Sequence, residues 1–535
     1  MLDGVSPGAP PLTEEQRRAV ALAARGRDAA IVARAGSGKT HTLRAAALAK
    51  EGVPQILLAF NRAIAREAAE RFPAHVRCTT LHAVAFRAVV GRDPRMRRKF
   101  EALERWTPHD ELAAAGLDPR DPGRFAHLAA IRATVRGYCA SDDPELCEAH
   151  VPAPFAARWH ADLGAQRARE RLRWTARRAA RAWARVRDPH DPVPIDHDGY
   201  LKTFALMGGH LDAEGLLVDE AQDLAPVMLG LVRAQDAPRL LVGDPAQRIY
   251  GWRGAVDAMA ASGYPEVRLT RSFRFGPEIA DAARRALRVL TPGAALVGAG
   301  SPGVVADAPE HAPAPPTDRP RAVLCRSNVG VLDAVLTLGE HGVHVVGGLG
   351  STVAAWERAH RLWRDRDAAA GAGLGRGSGA LRTGSARSAT GDGGGDLPAA
   401  GELAGIDRWD TLVQVAELQG GALATLRRLT ERHEEDVPRL CRALRRAERD
   451  RESEAPIVVS TIHRAKGREW DDVELWRDLP RVPASAEALI RSPDPESARA
   501  ETNLLYVAAT RARRVLRLGR LRDDLKELLR PNGER

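Results

Sequence analysis

Short apolar runs alternate with helix-like stretches over two long parts of the chain. Between residues 29 and 82, and again between 214 and 290, runs such as Ala29–Ala33 are each followed by a segment with helical periodicity. A strand that is buried on both faces reads as a continuous apolar run, and parallel strands are joined by helices. The pattern therefore predicts one parallel-sheet lobe whose sequence is interrupted at about 88–195.

The second half of the chain repeats this alternation with different spacing. Apolar runs near 321–326, 343–347, 456–460 and 513–518 predict the strands of a second α/β lobe. The fold class that we predict is therefore α/β, with two parallel-sheet lobes flanked by helices and a mainly helical insertion in each.

The insertion in the first lobe is rich in arginine. In the section 169–187, one helical face carries only apolar side chains, and the arginines lie elsewhere; that face comprises Leu172, Ala176, Ala179, Trp183 and Val186. We favour a packed helix with a solvated charged face. Contact between some of these arginines and phosphate groups is the alternative.

The insertion in the second lobe is compositionally mixed. Residues 366–405 are rich in Gly, Ala and Ser and almost lack large apolar side chains, which predicts a flexible segment. A helical patch follows at about 406–450, and a Pro-rich stretch at 308–320 predicts an exposed connector.

These patterns predict four units along the chain. The first lobe comprises residues 1–87 and 196–280, its helical insertion 88–195, the second lobe 281–355 and 451–535, and its reduced insertion 356–450.

The stretch "AAIVARAGSGKTHTLRAAALAK" at 29–50 is the first candidate site. A strand followed by glycines and a helix directs backbone N–H groups and the positive end of the helix dipole towards an anion. Lys39 can reach the outer phosphates of a nucleoside triphosphate, and the Thr40 hydroxyl can ligate Mg²⁺. A plain glycine-rich turn is the alternative. Ala33 replaces the first glycine of the strict pattern, and Arg34 is an unusual residue in such a loop.

Composition supports this interpretation of Lys39. Lys and Arg together number 80, yet only six of these residues are lysines. A chain that uses arginine almost everywhere but keeps lysine in "GSGKT" needs a compact ammonium group at that point.

A second candidate site follows two apolar runs further along. "EGLLVDEAQDLAP" at 214–226 ends a strand in Asp219 and Glu220, where one carboxylate can hold Mg²⁺ and the other can activate water; an acidic turn is the alternative. In "RLLVGDPAQRIYGWRGA", Gln247 can sense a terminal phosphate. Tyr250 and Trp252 either stack on bases or belong to the core.

Charge and cysteine content narrow the class of protein. The net charge of +10 indicates an anionic partner such as nucleic acid, or an arginine-rich genome bias. We find no apolar run of membrane-spanning length and no secretory signal. Five scattered cysteines indicate a reducing compartment without disulfides or a metal cluster, so we expect a cytoplasmic protein without a membrane partner.

In their order, the motifs resemble those of superfamily 1 DNA helicases of the UvrD/Rep/PcrA type. The matching stretches are "LTEEQRRAV", "ARAGSGKT", "LLAFNRAIAREAAERF", "TTLHAVAFR", "VDEAQD", "GDPAQRIYGWRGA", "LTRSFRFGPEI", "VSTIHRAKGREWDDV" and "NLLYVAATRARRVL". Within that family, "IDHDGYLKTFAL", "AVLCRSN" and "VHVVGG" are similar to the F-box DNA helicase branch. Few residues precede "LTEEQ" and few follow "NLLYVAATR", so we expect neither an F-box module nor a fused nuclease.

The resemblance implies two RecA-like P-loop lobes, and it implies roles for individual residues. For catalysis these are Lys39, Asp219, Glu220, Gln247, Arg274 and Arg511, with Arg511 as the arginine finger; for Mg²⁺ they are Thr40 and Asp219. For ATP they are Gln16, Ala35, Gly36, Ser37, Gly38, Lys39, Thr40, Phe273 and Glu469, where Phe273 replaces the usual tyrosine. For DNA they are Phe60, Asn61, Thr80, His82, Tyr250, Trp252, Thr461 and His463.

The function implied is an ATP- and Mg²⁺-dependent DNA helicase. It would move 3′-to-5′ on single-stranded and tailed duplex DNA, in repair or in the control of recombination. The reduced second insertion also fits a translocase that strips proteins, such as recombinase filaments, with little unwinding. A nucleotide-gated module for defence or signalling is the third hypothesis.

Overall fold

A computed structural model describes most of the chain. The described residues are 10–121, 123–249, 251, 257–307, 320–366, 403, 406, 408–419 and 421–530. Tyr250, Trp252, most of the Gly/Ala/Ser-rich segment 366–405 and all but the last residue of the Pro-rich stretch 308–320 lie outside them. Among the described residues, no helix combines the length and the apolar character needed to cross a bilayer.

The first lobe is built on a six-stranded sheet in which every pairing is parallel. The spatial order is β3-β2-β4-β5-β1-β6. The strands are Ala29–Ala33 (β1), Gln55–Leu58 (β2), Val76–Thr79 (β3), Gly215–Val218 (β4), Arg239–Gly243 (β5) and Glu266–Leu269 (β6). Strands β1, β2 and β4 are buried along their whole length, as continuous apolar runs predict.

Helices cover both faces of this sheet and bury two separate cores. One core contains Leu43 and Phe72, and the other contains Ile56 and Phe204. The helices are Glu14–Ala24, Lys39–Leu48, Arg62–Arg71, Leu81–Ala85, His197–Leu206, Pro226–Arg233 and Ala258–Ser262, and a π-helical turn spans Phe86–Val90. The two-layered covering confirms the predicted α/β class.

The insertion in the first lobe is helical, as expected. Its helices are Pro94–Ala102, Pro108–Ala114, Arg124–Ala140 and Ala153–Arg187, the last of which kinks at Gly164. Ala176, Ala179 and Trp183 are buried, which confirms the predicted apolar face. Arg178 donates to the backbone oxygens of Ala115 and Gly116 at 2.7 and 2.6 Å, so part of the arginine content stabilises the insertion itself.

The second lobe contains another six-stranded parallel sheet, in the order β11-β12-β10-β13-β14-β9. Two strands of this sheet were not predicted, Val304–Ala306 (β9) and Trp470–Leu475 (β13). The predicted strands are Arg321–Cys325 (β10), Val343–Val345 (β11), Ile457–Thr461 (β12) and Ala512–Arg517 (β14). Arg271–Ser272 (β7) and Val297–Gly298 (β8) form a separate two-stranded pair.

The reduced insertion packs directly on the second sheet. Trp356, Leu412 and Leu444 from the insertion share one core with Val323 and Val459 from the strands. The predicted boundaries at 280/281 and 355/356 fall inside the helices Pro277–Leu290 and Gly350–Arg364, so an apolar pattern could not locate them. The remaining helices are Asn328–Leu338, Trp409–Gln419, Gly421–His433, Val437–Ala447, Ala486–Ile490, Pro495–Ala509 and Asp523–Leu529.

In the unpredicted strand β13, a buried carboxylate is compensated by an arginine on the neighbouring strand β14. Asp472 accepts two hydrogen bonds of 2.7 Å from Arg517 of β14, and both side chains are at least 90% buried. Asp472 is thus a paired carboxylate within the sheet, which an apolar-run criterion cannot recognise.

We predict that Asp472→Ala destabilises the second lobe by about 3–5 kcal/mol, because Arg517 would remain buried without the carboxylate of Asp472. The measurement is the free energy of unfolding from urea denaturation of the full chain. Asp524→Ala is the matched control, because its pair with Arg522 is 46% and 36% exposed and should contribute about 0–1 kcal/mol. Equal losses in the two variants would contradict the prediction.

Candidate nucleotide and nucleic-acid site

The glycine-rich loop lies between β1 and the helix Lys39–Leu48, and two of its glycines have conformations that other residues avoid. Gly36 and Gly38 have φ values of +72° and +83°. A Cβ at Gly36 would also lie 2.6 Å from the side chains of Arg274 and Ser272. Glycine is therefore required here both by the turn and by close contact with the second half of the chain.

Gln16 connects the first helix to this loop. Its Oε1 accepts the Thr13 N–H at 2.9 Å, and Thr13 Oγ1 accepts the Gln16 N–H, which forms a capping box at the start of the helix Glu14–Ala24. Its Nε2 donates to the Ser37 carbonyl at 3.1 Å. The side chain is 2% exposed, so the amide is held against the loop in one orientation.

Lys39 and Glu220 meet at the centre of the site. Lys39 Nζ donates to Glu220 Oε1 at 2.5 Å, and Gln222 Nε2 donates to Glu220 Oε2 at the same distance. Glu220 itself has φ +52°, a left-handed conformation that costs a non-glycine residue about 1 kcal/mol or more. The bend after β4 thus turns the second carboxylate of "VDEAQD" towards the lysine.

The pKa values of the two adjacent carboxylates are shifted in opposite directions. Burial and the neighbouring Glu220 raise the pKa of Asp219 to about 6. Burial would also raise the pKa of Glu220, but the ammonium groups of Lys39 and Lys466 hold it well below its ordinary value. The site therefore favours the ionised form of Glu220, and Asp219 is sensitive to the charge placed beside it.

Asp219 and Thr40 are suited to binding Mg²⁺. Asp219 follows β4, and Thr40 is the second residue of the helix Lys39–Leu48, so both supply hard oxygen donors beside the glycine loop. Mg²⁺ usually takes one or two protein oxygens and completes its shell with phosphate and water.

The other side of this site is formed by the second lobe together with the segment after β7, which lies in the predicted first-lobe range but packs in the core of the second sheet. Phe273 N–H donates to the Gly36 carbonyl at 2.8 Å, which joins the strand β7 segment to the glycine loop. Arg274 pairs with Glu469 at 2.6 Å and donates to the Thr510 carbonyl at 2.9 Å. The Phe273 ring is about half exposed, so it is available to stack on a base.

Arg511 lies in the same cleft and is almost fully buried. Its Nη2 is 3.5 Å from Gln247 Oε1 of the first lobe, and its Nε donates to the Val507 carbonyl at 3.0 Å. Burial and the nearby Arg274 lower the pKa of its guanidinium to about 9. Because burying a charge without a counter-charge is costly, an anion that binds in the cleft would stabilise the Arg511 guanidinium.

Two residues of this cleft have no assigned role in the sequence analysis. Asp244 is fully buried and accepts hydrogen bonds from Arg34 (3.0 Å), Gln247 (2.9 Å) and Tyr506 (3.0 Å). The phenol oxygen of Tyr506 accepts the Ala35 N–H at 3.3 Å. The sequence feature that could have indicated Asp244 is the carboxylate of "GDPAQ" in a chain whose glycine loop carries an unexpected arginine.

Lys466 was also missed, although the rarity of lysine singles it out. Its ammonium pairs with Asp223, donates to the Gln247 carbonyl at 3.0 Å, and lies 5.9 Å from the Phe60 ring centre. It therefore connects the segment after β12 to three segments of the first lobe.

Six of the eight predicted DNA-binding residues are among the described residues, and these six lie at or just after the carboxyl ends of parallel strands, where α/β sheets bind ligands. Phe60 follows β2 and is 39% exposed. Asn61 and Thr80 cap the helices Arg62–Arg71 and Leu81–Ala85. The remaining three are His82, whose ring meets Tyr200 edge-on, and Thr461 and His463, both of which are buried at the end of β12.

Family profiles match two parts of the chain, and a curated relative matches nearly all of it. A family profile described as an AAA domain matches residues 16–253, and one described as a UvrD-like helicase C-terminal domain matches residues 423–521. F-box DNA helicase 1 of Gallus gallus is 29% identical over 98% of this chain and 50% of its own length.

Two further relatives show the same range of similarity. F-box DNA helicase protein 1 of Schizosaccharomyces pombe is 25% identical over 90% of this chain and 54% of its own length. ATP-dependent DNA helicase UvrD2 of Mycobacterium tuberculosis is 29% identical over 56% of this chain and 46% of its own length. The chain thus spans about half the length of the curated relatives it matches.

We predict that Gln16→Ala weakens the binding of a fluorescent ATP analogue by about 2- to 10-fold, the value of one net hydrogen bond. The reason is the loss of the bond to the Ser37 carbonyl that fixes the loop. Gln55→Ala is the matched control, because Gln55 is equally buried but donates to Ala47 in the first-lobe core. An unchanged dissociation constant in Gln16→Ala would contradict the prediction.

Proposed function

Because this chain belongs to the UvrD-like superfamily 1 helicases, we propose that it hydrolyses ATP to move along single-stranded DNA and to separate the strands of tailed duplexes. We propose 3′-to-5′ movement and a role in repair or in the control of recombination, in line with the resemblance.

The observation that carries the proposal is the composition of the cleft. Lys39, Glu220 and Gln247 come from the first lobe. Arg511 comes from the second lobe, and Arg274 comes from the segment after β7, which packs in the core of the second sheet. Arg511 nevertheless lies 3.5 Å from Gln247. A triphosphate bound at the glycine loop would contact groups of both lobes. Turnover would then depend on how the lobes meet, which is the requirement for a motor.

The residues suggest how hydrolysis would proceed. Lys39 forms an ion pair with Glu220, and bound phosphates would compete for its ammonium group. Glu220, freed from the lysine and ionised, would orient water and accept its proton. Mg²⁺ at Thr40 and Asp219 would neutralise phosphate charge, and Arg511 would stabilise the charge that develops on the transferred group.

One segment of the second lobe supports coupling between ATP and DNA. Residues 462–469 run from the carboxyl end of β12 to the amino end of the parallel strand β13. They connect Thr461 and His463, the predicted DNA residues, to Lys466 and Glu469 at the cleft. A change at either end would reach the other through eight residues of backbone.

A second candidate function is protein displacement with little unwinding. The insertion in the second lobe packs on the sheet within one core, through residues such as Trp356, Leu412 and Leu444.

A strand-displacement assay on 3′-tailed, 5′-tailed and forked DNA, with ATP turnover and removal of a DNA-bound protein measured alongside, separates the candidates. Unwinding from the 3′ tail supports the first, and protein removal without unwinding supports the second. An ATP turnover rate that DNA does not change would favour a nucleotide-gated module.

We predict that Lys39→Ala, Glu220→Gln and Arg511→Ala each lower DNA-stimulated ATP turnover by about 10²-fold or more, because each removes charge that acts on the transferred phosphate. The measurement is steady-state phosphate release with and without an oligonucleotide. Lys526→Ala and Glu487→Gln, which change the same residue types in peripheral helices of the second lobe, should turn over normally. Wild-type rates in the cleft variants would refute the assignments.

We predict that Phe60→Ala weakens binding of oligo(dT) by about 1–3 kcal/mol, or roughly 5- to 150-fold, through the loss of one stacking platform. Fluorescence anisotropy at fixed salt is the measurement, because phosphate contacts make affinity depend on salt. Ile490→Ala removes an exposed apolar side chain of the second lobe elsewhere and should bind normally. Equal affinity of both variants would exclude Phe60 from the DNA contact.

A further inference from the structure

Arg34 is the residue by which this glycine loop departs from the expected pattern, and its side chain is turned towards the protein interior. Its Nη1 donates to Asp244 Oδ1 at 3.0 Å, and the side chain is 9% exposed. Arg34 precedes Ala35, whose N–H donates to Tyr506. The side chain of one loop residue and the backbone of the next therefore point into the same cluster.

Asp244 makes this cluster cohesive. The carboxylate is fully buried, and a buried charge is tolerated only when it is paired and hydrogen-bonded. Oδ1 accepts from Arg34 and from the Ala246 N–H, and Oδ2 accepts from Gln247 and Tyr506. Arg34 is its one cationic partner among the ion pairs of the described residues.

The cluster crosses between the lobes. Arg34 and Asp244 follow β1 and β5 of the first sheet, whereas Tyr506 lies in the helix Pro495–Ala509, which ends one residue before Thr510 and Arg511. Tyr506 lies in the last turn of this helix and Arg511 follows the helix directly, so a displacement of the phenol would displace the arginine as well.

We infer that Arg34 is a positioning residue, which holds Asp244 so that Tyr506 locks the helix carrying Arg511 onto the glycine loop. Arg34 acts through Asp244 and does not contact the phosphates. The inference rests on the proposed function, since it assigns to the same cleft the contact that sets Arg511 in place for hydrolysis.

The kinetic test compares Arg34→Met, Arg34→Lys and Tyr506→Phe with wild type in oligonucleotide-stimulated turnover. We expect Arg34→Met and Tyr506→Phe to lower kcat by about tenfold or more, because small misplacements of a catalytic group have effects of that size. The dissociation constant of a fluorescent ATP analogue should change by less than about threefold. Arg34→Lys, which keeps a cation for Asp244, should recover most of the lost rate.

A double variant distinguishes the cluster from two unrelated defects. Arg34→Met combined with Tyr506→Phe should be no slower than the slower single variant, because both act through Asp244. Multiplied effects would overturn the inference, as would a kcat that stays normal. A raised dissociation constant with unchanged kcat would show instead that Arg34 contacts the nucleotide.

A second readout does not need turnover. Hydrogen exchange of the peptide covering residues 29–38 should be faster in Tyr506→Phe, because the phenol oxygen is the acceptor for the Ala35 N–H. Tyr506→Phe removes a single oxygen and keeps the ring, so it tests the cluster even if Arg34→Met does not fold.

The two readouts separate the inference from the proposed function. A wild-type protein whose ATP turnover does not respond to DNA would contradict the proposed function. The hydrogen-exchange experiment would still test the inference. A DNA-stimulated wild type with unchanged rates in Arg34→Met and Tyr506→Phe, or unchanged exchange at 29–38, would defeat the inference alone.

Discussion

The contact on which the rest of the structure depends is the one at Gly36. Its carbonyl accepts the Phe273 N–H at 2.8 Å, and no Cβ fits there, because the side chains of Ser272 and Arg274 occupy the space. The turn that gathers N–H groups for an anion is therefore also the point at which the two halves of the chain touch. Phosphate binding and the arrangement of the lobes cannot be separated at this residue.

Charge compensation explains why so many ionisable groups can lie in one cleft. Glu220 is paired with Lys39, Asp223 with Lys466, and Asp244 with Arg34, and in two of these pairs the partners come from distant segments of the same lobe. The third pair, Asp223 with Lys466, joins the two lobes. Each carboxylate buried here would be costly alone, so the pairs favour the arrangement in which all of them form together. Arg511 forms no ion pair with a carboxylate among the described residues, and burial and the nearby Arg274 lower the pKa of its guanidinium.

Sequence reasoning recovered the elements whose signal is local. Apolar runs gave β1, β4, β5, β10 and β12 within a residue or two, and "GSGKT" indicated the loop and the helix after it. It missed β13, whose carboxylates are paired: Asp472 with Arg517 of β14, and Glu474 with Arg321 of β10 and with Arg520 just after β14. It also placed two unit boundaries inside helices, because nothing along the sequence marks which of two cores a helix joins.

The sequence by itself determined the α/β class, the phosphate-binding loop and the order of motifs, because each depends on residues close together in the chain. Only the tertiary structure decided that Arg34 turns to Asp244, that Tyr506 completes this cluster, and that Lys466 reaches Asp223. These contacts join residues more than 200 positions apart. No periodicity or short motif encodes such pairings. Arg34 and Asp244 come together when β1 and β5 pair in the first sheet, and the other two contacts form only where the two lobes meet.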